Sequence, residues 1–453
     1  MGLTLATALR LLPRAGAAHA DDGRLSSSIA FVGAGGKTTG MFILARELPM
    51  PTLVTCTTHL GAWQLMEVDR HIVTESVADL VGLGGGKVTV VTGPLGTDQR
   101  MSAATPEVLN RLRLESLRHG WPLLIEADGA HKKPLKAPRQ DEPQLPSFAE
   151  VVVVTAGMSG LGRKLDNESV HRPDIYAQLS GLGPNARITG DAISGVLMHT
   201  RGGLKGIPPR ARRIALLNQA DTPVLQAEAR RIARSLESYY DAIVISTLRR
   251  GTVHAVHEPC AGIVLAAGGA TRFGKPKQLL AWRGEPLVRV AAHAAIKSGL
   301  SPVIVVTGAS AEQVESAVAD LPALMARNEQ WQDGQASSIR VGLDACPPST
   351  GSAVFLLADQ PLITPEVIQA LVEAHASEPV VIVVPLVHGD RRGNPVLFDR
   401  ETFADLRALR GDVGGRAIFP NHRVHYVPWH DDSIDRDIDT QEDYRRLREG
   451  DLP

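Results

Sequence analysis

The chain has 453 residues, 43% apolar and 21% charged, with 48 Lys and Arg against 49 Asp and Glu. One core stops growing at about 250–300 residues, so at least two folded domains are expected and extensive disorder is excluded. A net charge of -1 and an aromatic share of 4% exclude a surface built to coat nucleic acid or to stack single strands.

The three cysteines, Cys56, Cys260 and Cys346, are far apart and form no CxxC pair, which predicts a reducing compartment and no disulfide framework. Ala18-His19-Ala20 resembles a signal-peptidase site, but Arg10 and Arg14 interrupt the apolar stretch before it. Export is therefore not expected, and the sequence reads as cytoplasmic. No apolar run reaches the ~18 residues of a membrane span.

In chain order, an apolar strand over 28–32 runs into Gly33-Ala34-Gly35-Gly36-Lys37-Thr38-Thr39 and then a helical pattern. Buried strands follow at 52–55, 88–91, 123–126, 151–155, 214–217 and 243–245. A polar stretch over 247–259 reads as a joint. A second strand, 262–265, then runs into Ala266-Ala267-Gly268-Gly269, with strands after it at 303–306, 353–357, 380–384 and 424–427. Helical patterns fall at 287–297, 312–318 and 365–375. Continuous apolar strands alternating with amphipathic helices predict mainly parallel sheets covered on both faces. The fold class is α/β, with two doubly wound domains in series: a P-loop-like domain over 25–250 and a Rossmann-like domain over 260–450.

Glycines at a strand end let backbone N–H groups approach phosphate where no side chain would fit. In the second half Leu265, Ala266, Ala267, Gly268 and Gly269 form such a nucleotide-binding loop, and Arg272 and Lys277 follow as cations for a triphosphate. Asp359, after an apolar run, falls in the crevice where open α/β sheets bind ligands, and a carboxylate is the usual protein anchor for Mg²⁺. These residues resemble the MobA-like nucleotidyltransferase superfamily, and within it the molybdenum cofactor cytidylyltransferases (MocA-type). The resemblance implies a base pocket over 328–342, with Ser337 and Ser338 as nucleotide contacts. It implies acceptor loops at Gly393, Asn394 and Pro395 and at Asp412 and Arg416, with Asp359 and Asp439 as Mg²⁺ ligands. The implied reaction transfers CMP from CTP to a molybdopterin-type cofactor and releases pyrophosphate. The guanylyltransferase branch carries Leu-Ala-Gly-Gly where this chain has Leu265-Ala266-Ala267-Gly268. The isoprenoid cytidylyltransferases carry His-Asp-Ala-Ala-Arg-Pro where it has Leu357-Ala358-Asp359-Gln360-Pro361. Transfer to an isoprenoid precursor and a cofactor carrier without turnover are the alternatives.

In the first half, Gly33, Gly35, Gly36, Lys37 and Thr38 resemble a Walker A loop, although Phe31 stands where the full pattern has its first glycine. Such a loop would cradle the phosphates of ATP or GTP at a helix start, with Lys37 neutralising charge and Thr38 reaching Mg²⁺. Leu123-Leu124-Ile125-Glu126-Ala127-Asp128-Gly129 reads as a strand ending in acids, with Asp128 as a candidate metal ligand. The basic loop Lys132, Lys133 and Lys136, with Arg163-Lys164-Leu165-Asp166 and Val170-His171-Arg172-Pro173, resembles the YqeC-like accessory proteins of selenium-dependent molybdenum hydroxylases. A molybdenum hydroxylase or its chaperone is the implied partner. Leu217-Asn218-Gln219-Ala220-Asp221 resembles the base-reading segment of GTPases, with Gln219 in the place of its lysine. His422, His425 and His430 read as surface or packing histidines, since two of them fall on a strand with alternating faces.

Overall fold

The computed structural model describes residues 2–14, 28–65, 68–97, 99–269, 276–438 and 440–449. The chain divides into two compact units, Gly2–Leu12 with Asp22–His257 and Pro13–Asp21 with Glu258–Pro453.

The first unit is built on a nine-stranded sheet. Across it the strands begin at Thr252, Ala242, Arg212, Val151, Ser28, Leu123, Thr52, Val88 and Arg70. All pairs are parallel except that of Thr252–His257 with Ala242–Thr247. Successive strand residues point to opposite faces, and the core divides accordingly. Ala30, Val32, Ile125, Val152 and Val154 pack on one face, and Ile29, Phe31, Leu124, Val151 and Val153 on the other. Both faces are covered, so Val151–Gly157 is buried along its whole length.

The second unit follows the same logic with a mixed sheet of eight strands. Strands beginning at Ala323, Val303, Cys260 and Ser352 run parallel. Val396–Asp399 enters antiparallel between Ser352–Leu357 and Ile382–Val387, and Val424–Trp429 pairs parallel with the last of these. Val264, Val305, Val354 and Leu356 face one core, and Ile263, Ile304, Val306 and Phe355 the other.

Some elements depart from the sequence reading. The polar joint contains the strand Thr252–His257, whose interior residues 253 and 255–257 pack against the sheet or its loops. The strand expected at 380–384 lies at Ile382–Val387. Edge strands Arg70–Val73 and Ala323–Arg327 contain no buried residue, because an edge is covered on fewer sides. Among the described residues no helix is long and apolar enough to cross a membrane.

Candidate active sites

In the second unit, Leu265 pairs with Leu357 across two parallel strands. The segments that follow, Ala267-Gly268-Gly269 and Ala358-Asp359, therefore leave the sheet side by side at its carboxyl edge. They line a cleft of about 660 Å³ together with Leu265, Ala266, Lys277, Gln278, Trp331, Ser338 and Asp412. Lys277 Nζ lies 2.8 Å from Asp359 Oδ2, and both side chains are about a quarter exposed. A Cβ at Gly269 would come within 2.7 Å of the Trp331 ring, whereas one at Gly268 would meet nothing within 4 Å. The indole thus requires the second glycine, and the first presents open backbone. Gln278 is buried, and its Nε2 donates to Ala266 O at 3.3 Å and Gly268 O at 3.2 Å. It holds the shape of the loop, a role no sequence signal marked.

Arg272 and Asp439 lie outside the described residues. Next to Asp439, the carboxylate of Asp437 accepts from Gln360 Nε2, and Ile438 N donates to Asp359 O at 3.2 Å. The late acidic segment thus packs on the Asp359 loop. Ser337 is buried and spends its hydroxyl on Gln330 O and Gly334 O, while Asn328 Nδ2 donates to Ser337 Oγ at 2.7 Å and Ser338 Oγ at 3.0 Å. Ser338 reaches the cleft and Ser337 supports its wall. Asp412 also accepts from Gln335 N at 3.3 Å. Gly393 and Asn394, which precede Pro395, are tied to Arg416, whose Nη2 lies 3.0 Å from Arg392 O, Gly393 O and Asn394 Oδ1. These four residues are not among those lining the cleft. His422 Nε2 lies 2.6 Å from Asp405 Oδ2, a packing contact, and the described residues contain no cluster of three metal-ligating side chains.

In the first unit, the strand Ser28–Gly33 pairs Phe31 with Glu126 and Gly33 with Thr155. The glycines after it have φ of 92° at Gly33, 88° at Gly35 and 123° at Gly36. A Cβ would come within 2.2 Å of Thr155 O at Gly33, 2.3 Å of Gly157 N at Gly35 and 2.3 Å of Asn218 Nδ2 at Gly36. Neighbouring strands therefore demand these glycines. The N–H groups of Gly33, Ala34 and Gly35 donate to Asp128 Oδ2, Thr155 O and Lys133 O. The N–H groups at the start of helix Lys37–Glu47 are left to meet an anion.

Lys37 Nζ donates to Gly33 O at 2.7 Å, and lies 3.0 Å from Asp128 and 3.9 Å from Glu126. Thr38 Oγ1 donates to Glu126 Oε2 at 2.7 Å. The acid beside Thr38 is thus Glu126, which sequence reasoning did not single out. Asp128, the expected metal ligand, holds Gly33 N–H, Lys37 and Lys136. Asn218, in the segment resembling a base reader, donates to Gly35 O at 2.8 Å and accepts from Ser246 and Leu248. Its amide thus braces the glycine loop from beneath.

Residues 29–174 match the family described as YqeC protein, and residues 262–426 the family described as MobA-like NTP transferase domain. The YqeC protein of Escherichia coli (strain K12) is 31% identical over 216 residues, covering 44% of this chain and 80% of that protein. The nicotine blue oxidoreductase of Paenarthrobacter nicotinovorans is 31% identical over 202 residues, covering 42% of this chain and 97% of that protein. The chain belongs to the YqeC and MobA-like NTP transferase families, joined in series. Its MobA-like unit is a nucleotidyltransferase. The crystal structure of Rv0371c from Mycobacterium tuberculosis H37Rv is 30% identical, with a TM-score of 0.38, covering 42% of this chain and 97% of that one.

The YqeC unit buries a chain of alternating charges. Lys136 Nζ lies 2.8 Å from Asp128 and 2.7 Å from Glu142, and Arg172 forks onto Glu142 with two contacts of 2.7 Å. Burial pushes the Glu126 carboxyl up, against the pull of Lys37 and Thr38. Burial also pulls Lys136 down, against Asp128. Burial works to raise Glu142, but hydrogen bonds from Arg172 and Lys136 outweigh it and hold the carboxyl at about 2. The rings of His131 and His171 stand 4.6 Å apart. Burial first, then neighbouring Arg172, hold His171 down at about 4. His131, Lys132 and Arg172 all have positive φ. This strain collects in the basic loop and the turn that packs on it, as is common at functional sites.

Proposed function

We propose that the MobA-like unit transfers CMP from CTP to the terminal phosphate of a molybdopterin-type cofactor. The observation that carries the reading is the Lys277–Asp359 pair facing the open backbone of Gly268 at the carboxyl ends of two paired strands. A phosphate oxygen of the acceptor attacks the α-phosphorus of CTP, a new P–O bond forms, the bond to the β-phosphate oxygen breaks, and pyrophosphate leaves. The nucleophile is already anionic, so no general base is needed. Backbone N–H groups at Gly268 and Gly269 orient the triphosphate, and Lys277 and Arg272 offset the charge that develops on it. Asp359 offers a cleft-facing carboxylate, a hard oxygen donor that fits Mg²⁺, which when bound would add charge at the phosphate oxygens. Asp439 is the second proposed ligand. Of the proposed acceptor residues Asp412 lines the cleft, and the loop of Gly393, Asn394 and Pro395 is held by Arg416 through Gly393 O and Asn394 Oδ1.

In the YqeC unit we propose that ATP or GTP places its phosphates at the start of helix Lys37–Glu47. Lys37 supplies the charge, and Thr38 and Glu126 are the oxygen donors that fit Mg²⁺. The product would serve a molybdenum hydroxylase in the cytoplasm.

The test mixes the full chain with CTP or GTP, Mg²⁺ and molybdopterin cofactor and measures pyrophosphate. Release with CTP that depends on the cofactor is expected, and release with GTP alone overturns the cytidylyl reading.

A further inference from the structure

The YqeC unit contains a second cavity, of about 40 Å³, at the carboxyl edge of its sheet. Gly33 and Thr155, at the ends of paired strands, form one wall, and Tyr176 and the helix Gly190–Met198 form another. At ~10–15 Å³ per water-sized group, the space takes about three such groups. Tyr176 and Thr155 both line it. The two residues are 1% and 3% exposed, and neither hydroxyl has a hydrogen-bond partner among the described residues. Buried hydroxyls without partners are rare because they forfeit their bonds to water. Two on residues that line one cavity point to an occupant that supplies the partner.

Charge decides what that occupant is. Lys136 lines the same cavity, but its Nζ is surrounded by Gly129 O at 2.6 Å, Glu142 at 2.7 Å and Asp128 at 2.8 Å. Three oxygens use its three N–H bonds. Asp128 is matched in turn by Gly33 N–H, Lys37 and Lys136. The wall therefore has no cation to offer an anion, and the charge of its one carboxylate, Asp128, is balanced by Lys37 at 3.0 Å and Lys136 at 2.8 Å, although its Oδ1 accepts no hydrogen bond among the described residues. Val32, Leu135, Val196 and Leu197 supply its apolar sides.

We infer that this cavity binds the uncharged, hydroxyl- or carbonyl-bearing end of a small organic molecule, with the polar atom between Tyr176 and Thr155. Gly33 belongs both to this cavity and to the Lys37 site, so the occupant is held beside any nucleotide phosphate there. The cavity has its own lining and stands whether or not a nucleotide binds at Lys37.

Isopropanol is the probe, titrated into the full chain while the methyl resonances of Ile193, Val196 and Leu197 are followed. Saturating shifts are expected in the parent. Tyr176→Phe combined with Thr155→Val should weaken binding at least tenfold. Its melting temperature without the probe should equal or exceed the parent's, because two hydroxyls without partners are removed. A cavity that holds only ordered water gives shifts that do not saturate and a combined variant that melts below the parent. That result overturns the inference, as does unchanged probe affinity in the combined variant. Isopropanol shifts that saturate in a full chain that binds neither ATP nor GTP would separate this inference from the nucleotide reading.

Discussion

Replacing Glu142 by Gln removes the charge between Lys136 and Arg172 while keeping the shape. Its carboxyl stands at about 2 against an ordinary 4.5. At ~1.36 kcal/mol per pH unit that difference is worth about 3 kcal/mol. Removing one partner of a buried pair costs ~3–5 kcal/mol, and the lower end applies because Arg172 is 20% exposed and can turn to water. The folded carboxyl gives up its proton more readily than the unfolded one. This stability is therefore fully present above about 4.5, declines as pH falls, and is gone below about 2. Hydrogen exchange reads the effect locally at Ala137 N–H, bonded to His171 O, and at Gly35 N–H, bonded to Lys133 O. At pH 7 the variant should lose on the order of a hundredfold in protection at both amides, if they open through local unfolding of this loop. Thermal melts should show the gap narrowing to about 1 kcal/mol at pH 3. Parent-like protection at pH 7, or a gap that does not change between pH 7 and pH 3, would refute the charge-chain account.

Asp359→Asn should keep the fold and lower CTP-dependent pyrophosphate release by about a hundredfold or more, with partial recovery in excess Mg²⁺ or Mn²⁺; full activity removes Asp359 from the mechanism. Lys37→Ala should abolish ATP and GTP binding, read by nucleotide titration, and leave pyrophosphate release by the MobA-like unit intact. Gly33→Ala forces a side chain onto φ of 92° and within 2.2 Å of Thr155 O, so it should cost at least ~1–3 kcal/mol in thermal melts; a neutral result means the loop can shift. His171 is held down at about 4, so its ring resonances should stay those of neutral imidazole from pH 8 to pH 5, and titration near 6.5 would show that its burial and cationic neighbours do not act as described.

Local pattern was enough to read the two strand–glycine–helix starts, the alternation of buried strands with helices, and the placing of Asp359 just after a strand end. Those features follow from side-chain period and backbone freedom, which neighbours in the chain determine. Pairing across the sheet decided the rest. Glu126 became the acid beside Thr38 because Phe31 lies in register with it. Asp128 and Asn218 turned inward to hold the glycine loop, and Gln278 was recruited to hold the other. The glycines at 33, 35 and 36 look like a phosphate cradle in sequence, yet Thr155, Gly157 and Asn218 already leave no room for a side chain there. Contacts such as Thr38 with Glu126, Gly33 with Asp128 and Asn218 with Gly35 join residues 88, 95 and 183 positions apart and leave no periodic trace along the chain. Only the folded sheet brings them within hydrogen-bond reach, and there low dielectric and close packing set which polar groups hold the loop and which remain for a ligand.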